Sequence, residues 1–256
     1  MSDLDNETLI LSDDKVFYTI EGEGEFVGQP SVFMRLAMCN LTCSAWSSPD
    51  SPNGCDSFIS WSVKNKMTFK EIWDEFFASA CMGGLNYAAH LQERAILKLT
   101  GGEPLLQQKQ LLKFMQYLHE KTDVVDIKVD FETNATIEPH PDWVTEWGAT
   151  FTTSPKLSTN GDPVVKTYKP DVLRWHVERG SSFKFVITCS EDIDEIWSKY
   201  VRDLCVPVHR IWFMPCCGSR EEHTENAAMV AEYAKAMHVN FSPRLQLVVW
   251  DKALRV

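Results

Sequence analysis

The sequence has 256 residues, a net charge of −11 and a hydrophobic fraction of 44%. This length is typical of one α/β domain, so we expect a single domain over residues 1–256. The negative charge argues against a nucleic-acid-binding surface, which needs a positive footprint. No apolar run approaches the roughly 18 residues of a membrane span, and residues 1–5 lack the layout of a secretory signal. We therefore expect a cytoplasmic protein that binds a small molecule, and neither nucleic acid nor membrane.

Strand and helix patterns alternate after a polar, acidic start over residues 1–15, which we expect to be frayed. This alternation indicates an α/β fold with a parallel sheet and right-handed crossovers. About six such units favour a partial (β/α)6-type barrel over a flat doubly wound sheet, although periodicity alone does not separate the two. The predicted strands are Val16–Ile20, Ser31–Ala37, Ala95–Leu99, Val124–Glu132, Ala149–Thr153, Phe183–Thr188 and His209–Met214, with Arg244–Trp250 β-prone. The predicted helices open at the Thr68–Glu71 capping box or span Gln107–Lys121, Trp143–Trp147, Pro170–Arg179, Glu191–Val201 and Thr224–His238.

Three of the eight cysteines form a cluster in the sequence, at Cys39, Cys43 and Cys55. The apolar strand Ser31–Ala37 delivers the first of them to a strand end. Clustered cysteines in a reducing compartment more often bind metal or do chemistry than form disulfides. Three thiolates at this uneven spacing are too few for a standard four-ligand zinc site. They suit a metal cluster that keeps one position open.

Polar residues follow four of the predicted strands, at the edge where parallel α/β folds bind their ligands. The segments are the cysteine loop, Thr100–Glu103, Glu132–Asn134 and Ser154–Lys156. A Gly-Gly turn alone is more often structural than functional. Four polar strand ends at one edge predict a single site.

Several polar residues near this edge have both a functional and an ordinary interpretation. Arg35 can clamp a carboxylate with two parallel hydrogen bonds, although an arginine at a strand end is more often in a surface ion pair. Lys156 offers a second positive charge. Asp56 and Ser57 can supply hard oxygen ligands to Mg²⁺, or they can simply form a turn or a helix cap.

Taken in order, these motifs resemble the radical S-adenosylmethionine superfamily and, within it, the 7-carboxy-7-deazaguanine synthases. Each motif is moderate support, and their number and order make the set strong. The similarity runs almost end to end, through Phe17–Gly24, Gly28–Leu36, Cys39–Cys43, Cys55–Ser57, Thr100–Leu105, Glu132–Asn134 and Ser154–Lys156.

The resemblance implies three cofactors: a 4Fe–4S cluster, S-adenosylmethionine and Mg²⁺. The cluster would be held by Cys39, Cys43 and Cys55, and Mg²⁺ by Ser57, where the family usually has threonine. The residues implied for S-adenosylmethionine are Gly54, Cys55, Asp56, Gly102, Ser154, Pro155 and Lys156. The residues implied for the substrate are Ile20, Glu21, Gly22, Arg35, Thr100 and the terminal carboxylate of Val256.

The resemblance also implies the reaction and its partners. One electron from a flavodoxin- or ferredoxin-like donor cleaves S-adenosylmethionine to a 5′-deoxyadenosyl radical. That radical takes a hydrogen from 6-carboxy-5,6,7,8-tetrahydropterin. The substrate radical rearranges to the contracted ring, recovers a hydrogen and loses ammonia to give 7-carboxy-7-deazaguanine. The protein positions the groups that carry this chemistry. A homodimer is expected on the same basis.

The cysteine spacing departs from the family pattern, because eleven residues rather than two separate Cys43 from Cys55. The cost of closing a loop grows slowly with its length, so we still expect Cys55 to be a ligand of the cluster. One alternative is a glycyl-radical activating enzyme, and another is a catalytically idle homologue that binds a pterin or a partner. Cys216 and Cys217 are interpreted as buried small hydrophobic residues, with an extra metal or redox role as the alternative.

Overall fold

The computed structural model describes residues 2–46, 54–79, 86–122 and 126–253. Within these ranges nine strands form one sheet, in the order β3-β1-β2-β4-β5-β6-β7-β8-β9. All neighbouring pairs from β2 to β9 are parallel, whereas β1 is antiparallel to both β2 and β3. The predicted α/β class with a mostly parallel sheet is therefore confirmed. The strands are β1 (Thr8–Ile20), β2 (Pro30–Leu36), β3 (Asn65–Thr68), β4 (Ile96–Gly101), β5 (Val129–Thr133), β6 (Thr150–Thr153), β7 (Ser182–Ile187), β8 (Ile211–Pro215) and β9 (Asn240–Phe241).

Helices connect the strands, as the alternating pattern predicts. The second helix begins where its capping box indicates: the Thr68 hydroxyl accepts from the Glu71 N–H, and the Glu71 carboxylate accepts from the Thr68 N–H. No described helix is long and apolar enough to cross a membrane. The α-helices are α1 (Phe58–Ser62), α2 (Phe69–Ile72), α3 (Tyr87–Glu93), α4 (Gln108–Lys121), α5 (Asp142–Thr145), α6 (Val164–Thr167), α7 (Pro170–Glu178), α8 (Ser190–Glu195), α9 (Arg220–Met237) and α10 (Leu245–Trp250). Two of them continue as π-helical segments, Trp73–Phe77 and Ile196–Asp203, and 3-10 turns occupy Gly24–Phe26, Ser44–Trp46, Pro104–Gln107, Ser158–Asn160 and Val208–Arg210.

The prediction of a frayed start over residues 1–15 is wrong. Strand β1 begins at Thr8 and pairs first with β3 and then with β2. Its side chains Leu9 and Leu11 are fully buried, and they alternate with the half-buried Thr8 and Ile10. The acidic composition of this segment obscured the period of two that marks a half-buried strand.

Two further predicted elements need correction. The β-prone segment at the end is the helix α10, in which the Arg244 carbonyl accepts from the N–H groups of Leu247 and Val248. The strand predicted over Val124–Glu132 begins only at Val129, and residues 123–125 lie outside the described ranges. Val256, Cys81 and residues 47–53 of the long cysteine connection also lie outside them.

Alternation along the parallel strands separates an apolar face from a polar face. In β4, Leu97 and Leu99 enter the main hydrophobic core, whereas Lys98 points to the other side of the sheet. In β7, Phe183 and Phe185 join a second core, and Lys184 lies opposite them. The polar face therefore carries buried charged groups inside the curve of the sheet.

The two sides of the sheet approach each other at the mouth of this curve. The Gly22 carbonyl, just after β1, accepts a hydrogen bond of 2.9 Å from the Leu245 N–H, after β9. The Gly24 N–H donates to the Ser242 hydroxyl at 2.7 Å. Because β1 and β9 are far apart in the strand order, these contacts require the sheet to curve into a partial barrel.

Candidate active site

A cavity of about 820 Å³ opens at the carboxyl ends of the parallel strands. This volume is within the range of small-molecule and cofactor sites. It brings together most of the site residues predicted from the sequence, with two exceptions. Pro155 does not line it, and Val256 lies outside the described residues. The predicted residues that line it are Ile20, Glu21, Gly22, Arg35, Cys39, Cys43, Gly54, Cys55, Asp56, Ser57, Thr100, Gly102, Ser154 and Lys156.

The first two cysteines lie on a loop held by Asp162. Its carboxylate accepts from the backbone N–H groups of Thr42 and Cys43, at 3.0 and 2.8 Å, and from the Thr42 hydroxyl at 2.8 Å. Burial opposes ionisation of Asp162, but these hydrogen bonds outweigh it and lower the pKa of the carboxyl. They also hold Cys43 at a positive φ of 51°, an uncommon conformation for a side chain of this kind. The loop is therefore fixed by a charged group that the sequence motifs did not reveal.

The three clustered thiols are largely withdrawn from water. Burial raises the pKa of Cys39 and of Cys55 to about 11, and it also raises the pKa of Cys43. Asn134 points its amide at the Cys39 sulfur from 3.9 Å, and Asn160 at the Cys43 sulfur from 3.6 Å. Buried thiols of this kind become thiolates when they bind a cation.

The arrangement of the thiols distinguishes between kinds of metal centre. In the described part of the chain, no three Cys, His, Asp or Glu side chains surround a single ion closely enough to bind it. An iron–sulfur cluster allows larger distances between the cysteine sulfurs than a single metal ion does, because each cysteine binds a different iron. Three free cysteines that line one cavity therefore fit a cluster better than a single zinc ion.

The Gly-Gly turn after β4 presses against the backbone that leads into the cysteine loop. A Cβ atom on Gly102 would lie 1.9 Å from the Met38 carbonyl oxygen, and Gly101 adopts a φ of +119°. Glycine is required at both positions, for close approach at one and for its backbone conformation at the other. The Glu103 N–H donates to the Met38 carbonyl at 2.9 Å, which ties the turn to the residue before Cys39.

Glu103 connects this turn to the neighbouring strand end. Its carboxylate accepts from the Thr133 hydroxyl and the Asn134 N–H, both at 2.8 Å. Burial raises the pKa of Glu103 to about 7, against hydrogen bonds that favour the ionised form. The predicted motifs Thr100–Glu103 and Glu132–Asn134 are thus joined directly at one edge of the sheet.

Below the cavity lies a set of buried ion pairs that the sequence did not predict. Lys98 contacts Asp130 at 2.6 Å and Glu21 at 2.8 Å, and all three side chains are at most 6% exposed. Burial lowers the pKa of Lys98, but the two carboxylates outweigh burial and raise that pKa above its usual range. Burial raises the pKa of Glu21 even though Lys98 opposes the shift. The sequence did contain one sign of these ion pairs. A parallel strand covered on both faces is usually apolar throughout, whereas polar and apolar residues alternate in β4 and β5.

A second ionic group reaches the mouth. Lys184 contacts Glu23 at 2.5 Å and also pairs with Glu132. Arg244 contacts the same Glu23 at 2.9 Å. Burial raises the pKa of Glu23, but Lys184 and Arg244 outweigh it and hold that pKa well below its usual range. The Thr100 hydroxyl donates to Glu132 at 2.9 Å, so this predicted substrate contact belongs to the same network.

Arg35 and Ser57 both line the cavity. The Nε of Arg35 is buried without a hydrogen-bond partner among the described residues, and it lies 4.0 Å from the Asp14 carboxylate. Ser57 precedes α1, but its side chain makes no cap hydrogen bond and donates to Asp56 at 3.1 Å. Asp56 and Ser57 lie in the turn that leads into α1, so the ordinary interpretation of these two residues as a turn is confirmed. Lys156 donates to the Ser154 hydroxyl at 2.8 Å.

Cys216 and Cys217 also line the cavity. Burial raises the pKa of each thiol to about 11, and the Cys217 thiol donates to the Pro215 carbonyl at 3.4 Å. Cys217 is buried, as the interpretation of these residues as small hydrophobic groups predicts, and Cys216 is half-buried.

The chain is a partial α/β barrel with three free thiols and a Gly-Gly turn at its carboxyl mouth, an arrangement suited to a metal cluster beside a small-molecule site. No family model matches the chain. The crystal structure of QueE from Escherichia coli shares this fold, with a TM-score of 0.57 over 92% of this chain and 93% of that one, at 18% sequence identity.

The sequence comparisons identify particular relatives. The chain is 29% identical to the 7-carboxy-7-deazaguanine synthase of Hyperthermus butylicus, over 92% of this chain and 91% of that protein. It is 27% identical to the synthase of the same name from Pyrobaculum aerophilum, over 93% of this chain and 94% of that protein. The resemblance to the 7-carboxy-7-deazaguanine synthases, inferred from the motifs, is therefore confirmed over most of the chain.

Proposed function

We propose that this chain is a 7-carboxy-7-deazaguanine synthase, a lyase that converts 6-carboxy-5,6,7,8-tetrahydropterin to 7-carboxy-7-deazaguanine with loss of ammonia. The observation that carries the proposal is the convergence of Cys39, Cys43 and Cys55 on one cavity with the Gly-Gly turn. The likeness of the whole chain to synthases of this name supports the same substrate.

Cys39, Cys43 and Cys55 would hold a 4Fe–4S cluster, which fits one buried and two half-buried thiols that line one cavity and have a raised pKa. When bound, the cluster and S-adenosylmethionine supply reductive cleavage and hydrogen abstraction. The residues proposed for S-adenosylmethionine are Gly54, Cys55, Asp56, Gly102, Ser154, Pro155 and Lys156.

The remaining residues of the cavity would bind and orient the pterin. Arg35 lines the cavity from β2 with its Nε 4.0 Å from the Asp14 carboxylate, and its planar guanidinium suits the substrate carboxylate. Ile20, Glu21, Gly22 and Thr100 line the same cavity. The buried ion pairs of Lys98 and Lys184 keep the carboxylates beneath it paired. The terminal carboxylate of Val256 is proposed as a further contact from the family resemblance.

Replacing Arg35 by lysine is expected to weaken substrate binding. Lysine keeps the charge but not the planar pair of donors that matches a carboxylate. Losing one charge-assisted hydrogen bond corresponds to a rise in KM of about 10- to 100-fold, with a smaller change in kcat. Steady-state kinetics with the tetrahydropterin test this, with Arg202→Lys at an exposed position as the control. An unaltered KM would rule out the clamp.

Replacing Ser57 by alanine is expected to reduce activation by Mg²⁺. Mg²⁺ keeps several waters and takes few protein ligands, so loss of one hydroxyl should raise the Mg²⁺ concentration needed for half-maximal rate. We expect a shift of about tenfold with the iron content unchanged. Ser62→Ala, at the end of the same helix, is the matched control. The same Mg²⁺ dependence in the variant and the parent would refute the role.

Three further properties are proposed from the resemblance. The electron donor would be a flavodoxin or a ferredoxin, and the protein would form a homodimer. A cytoplasmic location suits a chain whose described cysteines are all free, because thiols stay reduced there. The whole chain would act as a single domain.

Cleavage of S-adenosylmethionine by the anaerobically reconstituted chain tests the proposal against its alternatives. The synthase should convert the tetrahydropterin to 7-carboxy-7-deazaguanine and ammonia, with the abstracted hydrogen returned to the rearranged substrate. A glycyl-radical activating enzyme should cleave S-adenosylmethionine and leave the pterin unchanged. A catalytically idle homologue should cleave none.

A further inference from the structure

Arg244, between β9 and α10, connects three loops that are far apart in the sequence. Its side chain is 13% exposed. The guanidinium donates to Glu23 at 2.9 Å, to Asp56 at 2.6 Å, and to the Cys217 carbonyl. Each nitrogen therefore reaches a different segment at the mouth of the barrel: the turn after β1, the third-cysteine segment and the loop after β8.

The contact with Asp56 lies directly beside Cys55. The other two thiols are located by bonds that do not reach this segment, because Asp162 holds the Thr42–Cys43 backbone and Asn134 approaches Cys39. Cys55 follows the first two after a connection of eleven residues. Its position therefore depends on contacts made by its own neighbours.

A long connection gives Cys55 more conformations to lose when it becomes a ligand. An arginine held by three hydrogen bonds can limit them, because its planar guanidinium fixes the direction as well as the distance of each carboxylate. Arg244 is fixed at the other end by Glu23, which also pairs with Lys184 of β7. The position of Asp56 is thus tied to the sheet itself.

We propose that Arg244 is a positioning residue for the third cluster ligand: its ion pair with Asp56 holds Cys55 at the cavity despite the long connection from Cys43. This inference rests on the proposed function only in that a cluster binds, and it does not depend on the substrate. Arg244 belongs to none of the sequence motifs that predicted the site.

The rate of iron release to a chelator, measured anaerobically on the reconstituted chain without pterin, tests this role. Arg244→Gln should release iron about 10- to 100-fold faster than the parent, the factor expected for losing a charge-assisted hydrogen bond. After the same time in chelator, Arg244→Gln should retain less iron per chain than the parent. Arg202→Gln, at an exposed arginine paired with its neighbour Asp203, is the matched control and should match the parent.

Asp56→Asn removes the same ion pair without disturbing the bonds from Arg244 to Glu23 and Cys217. It should accelerate iron release to a similar extent, and the double variant should add little, because both changes remove one interaction. If Arg244→Gln does not fold, the result for Asp56→Asn decides. Parental release rates in the single variants, or fully additive effects in the double variant, would overturn the inference.

The same data separate this inference from the proposed function. A parent chain that binds no cluster would defeat both. A parent that holds four irons, with variants that hold them equally well, would defeat only the role of Arg244. Glu23→Gln tests whether the other ion pair of Arg244 matters instead. If this change accelerated iron release and Asp56→Asn did not, the ion pair with Asp56 would not be the contact that holds Cys55.

Discussion

Cys55→Ala is expected to abolish turnover and to remove iron from the reconstituted chain. Cys55 lines the cavity with the other two thiols, and its neighbour Asp56 is held by Arg244. Removing a group that only supports a metal ligand typically lowers metal affinity or activity by about 10- to 100-fold. Removing the ligand itself should have a larger effect, so we expect the rate to fall by more than about 100-fold. Iron and sulfide analysis, together with the rate of product formation, measures the effect.

Cys205→Ala provides the control for this prediction, because Cys205 is an exposed free thiol. It should keep both the iron content and the rate of the parent. If Cys55→Ala also kept both, Cys55 would not be the third ligand and the long connection would have displaced it from the site. Lost turnover with normal iron would instead assign Cys55 to another role.

Lys98→Met is expected to destabilise the cluster-free chain by about 3–5 kcal/mol, the cost typical of removing one partner of a buried ion pair. Asp130 and Glu21 would remain buried without their shared cation. Since small and medium proteins unfold with about 5–15 kcal/mol, this is a large fraction of the total. The free energy of unfolding in denaturant measures it.

The pH dependence of this effect follows from the direction of the Glu21 shift. Burial raises the pKa of Glu21, so the folded chain holds this proton to a higher pH than the unfolded chain does. Without Lys98, the folded state therefore loses stability as the pH rises and Glu21 must ionise in its buried position. The deficit of Lys98→Met should therefore be smaller at pH 5 than at pH 8. Lys66→Met, at an exposed position in β3, controls for the substitution itself. Equal unfolding free energies for Lys98→Met and this control would contradict the argument.

Most of the residues that line the cavity could be predicted because they occur in short, ordered motifs at strand ends. Parallel strands bring their carboxyl ends together whatever the connecting helices do, so Thr100–Glu103 and Glu132–Asn134 had to meet. The structure joins them through Glu103, which bonds to Thr133 and Asn134. The topology of the sheet therefore made these contacts predictable from local patterns.

The residues missed are those whose role depends on distant partners. Asp162 and Arg244 occur in no motif, and they act on residues that lie more than 100 positions away in the sequence. The start of β1 was missed because its neighbours are acidic. Helix α10 was missed because a six-residue segment with one polar residue, Gln246, suits a strand as well as a helix. Long-range pairing decides such cases, and a single sequence does not display it.

Formation of 7-carboxy-7-deazaguanine is the direct test of the proposed synthase activity. The chain, reconstituted anaerobically with iron and sulfide, would be supplied with S-adenosylmethionine, Mg²⁺, a reductant and 6-carboxy-5,6,7,8-tetrahydropterin. Mass spectrometry should then detect 7-carboxy-7-deazaguanine from the parent and none from Cys55→Ala. A parent that carries a full cluster and cleaves S-adenosylmethionine, yet returns the pterin unconverted, would contradict the proposed function.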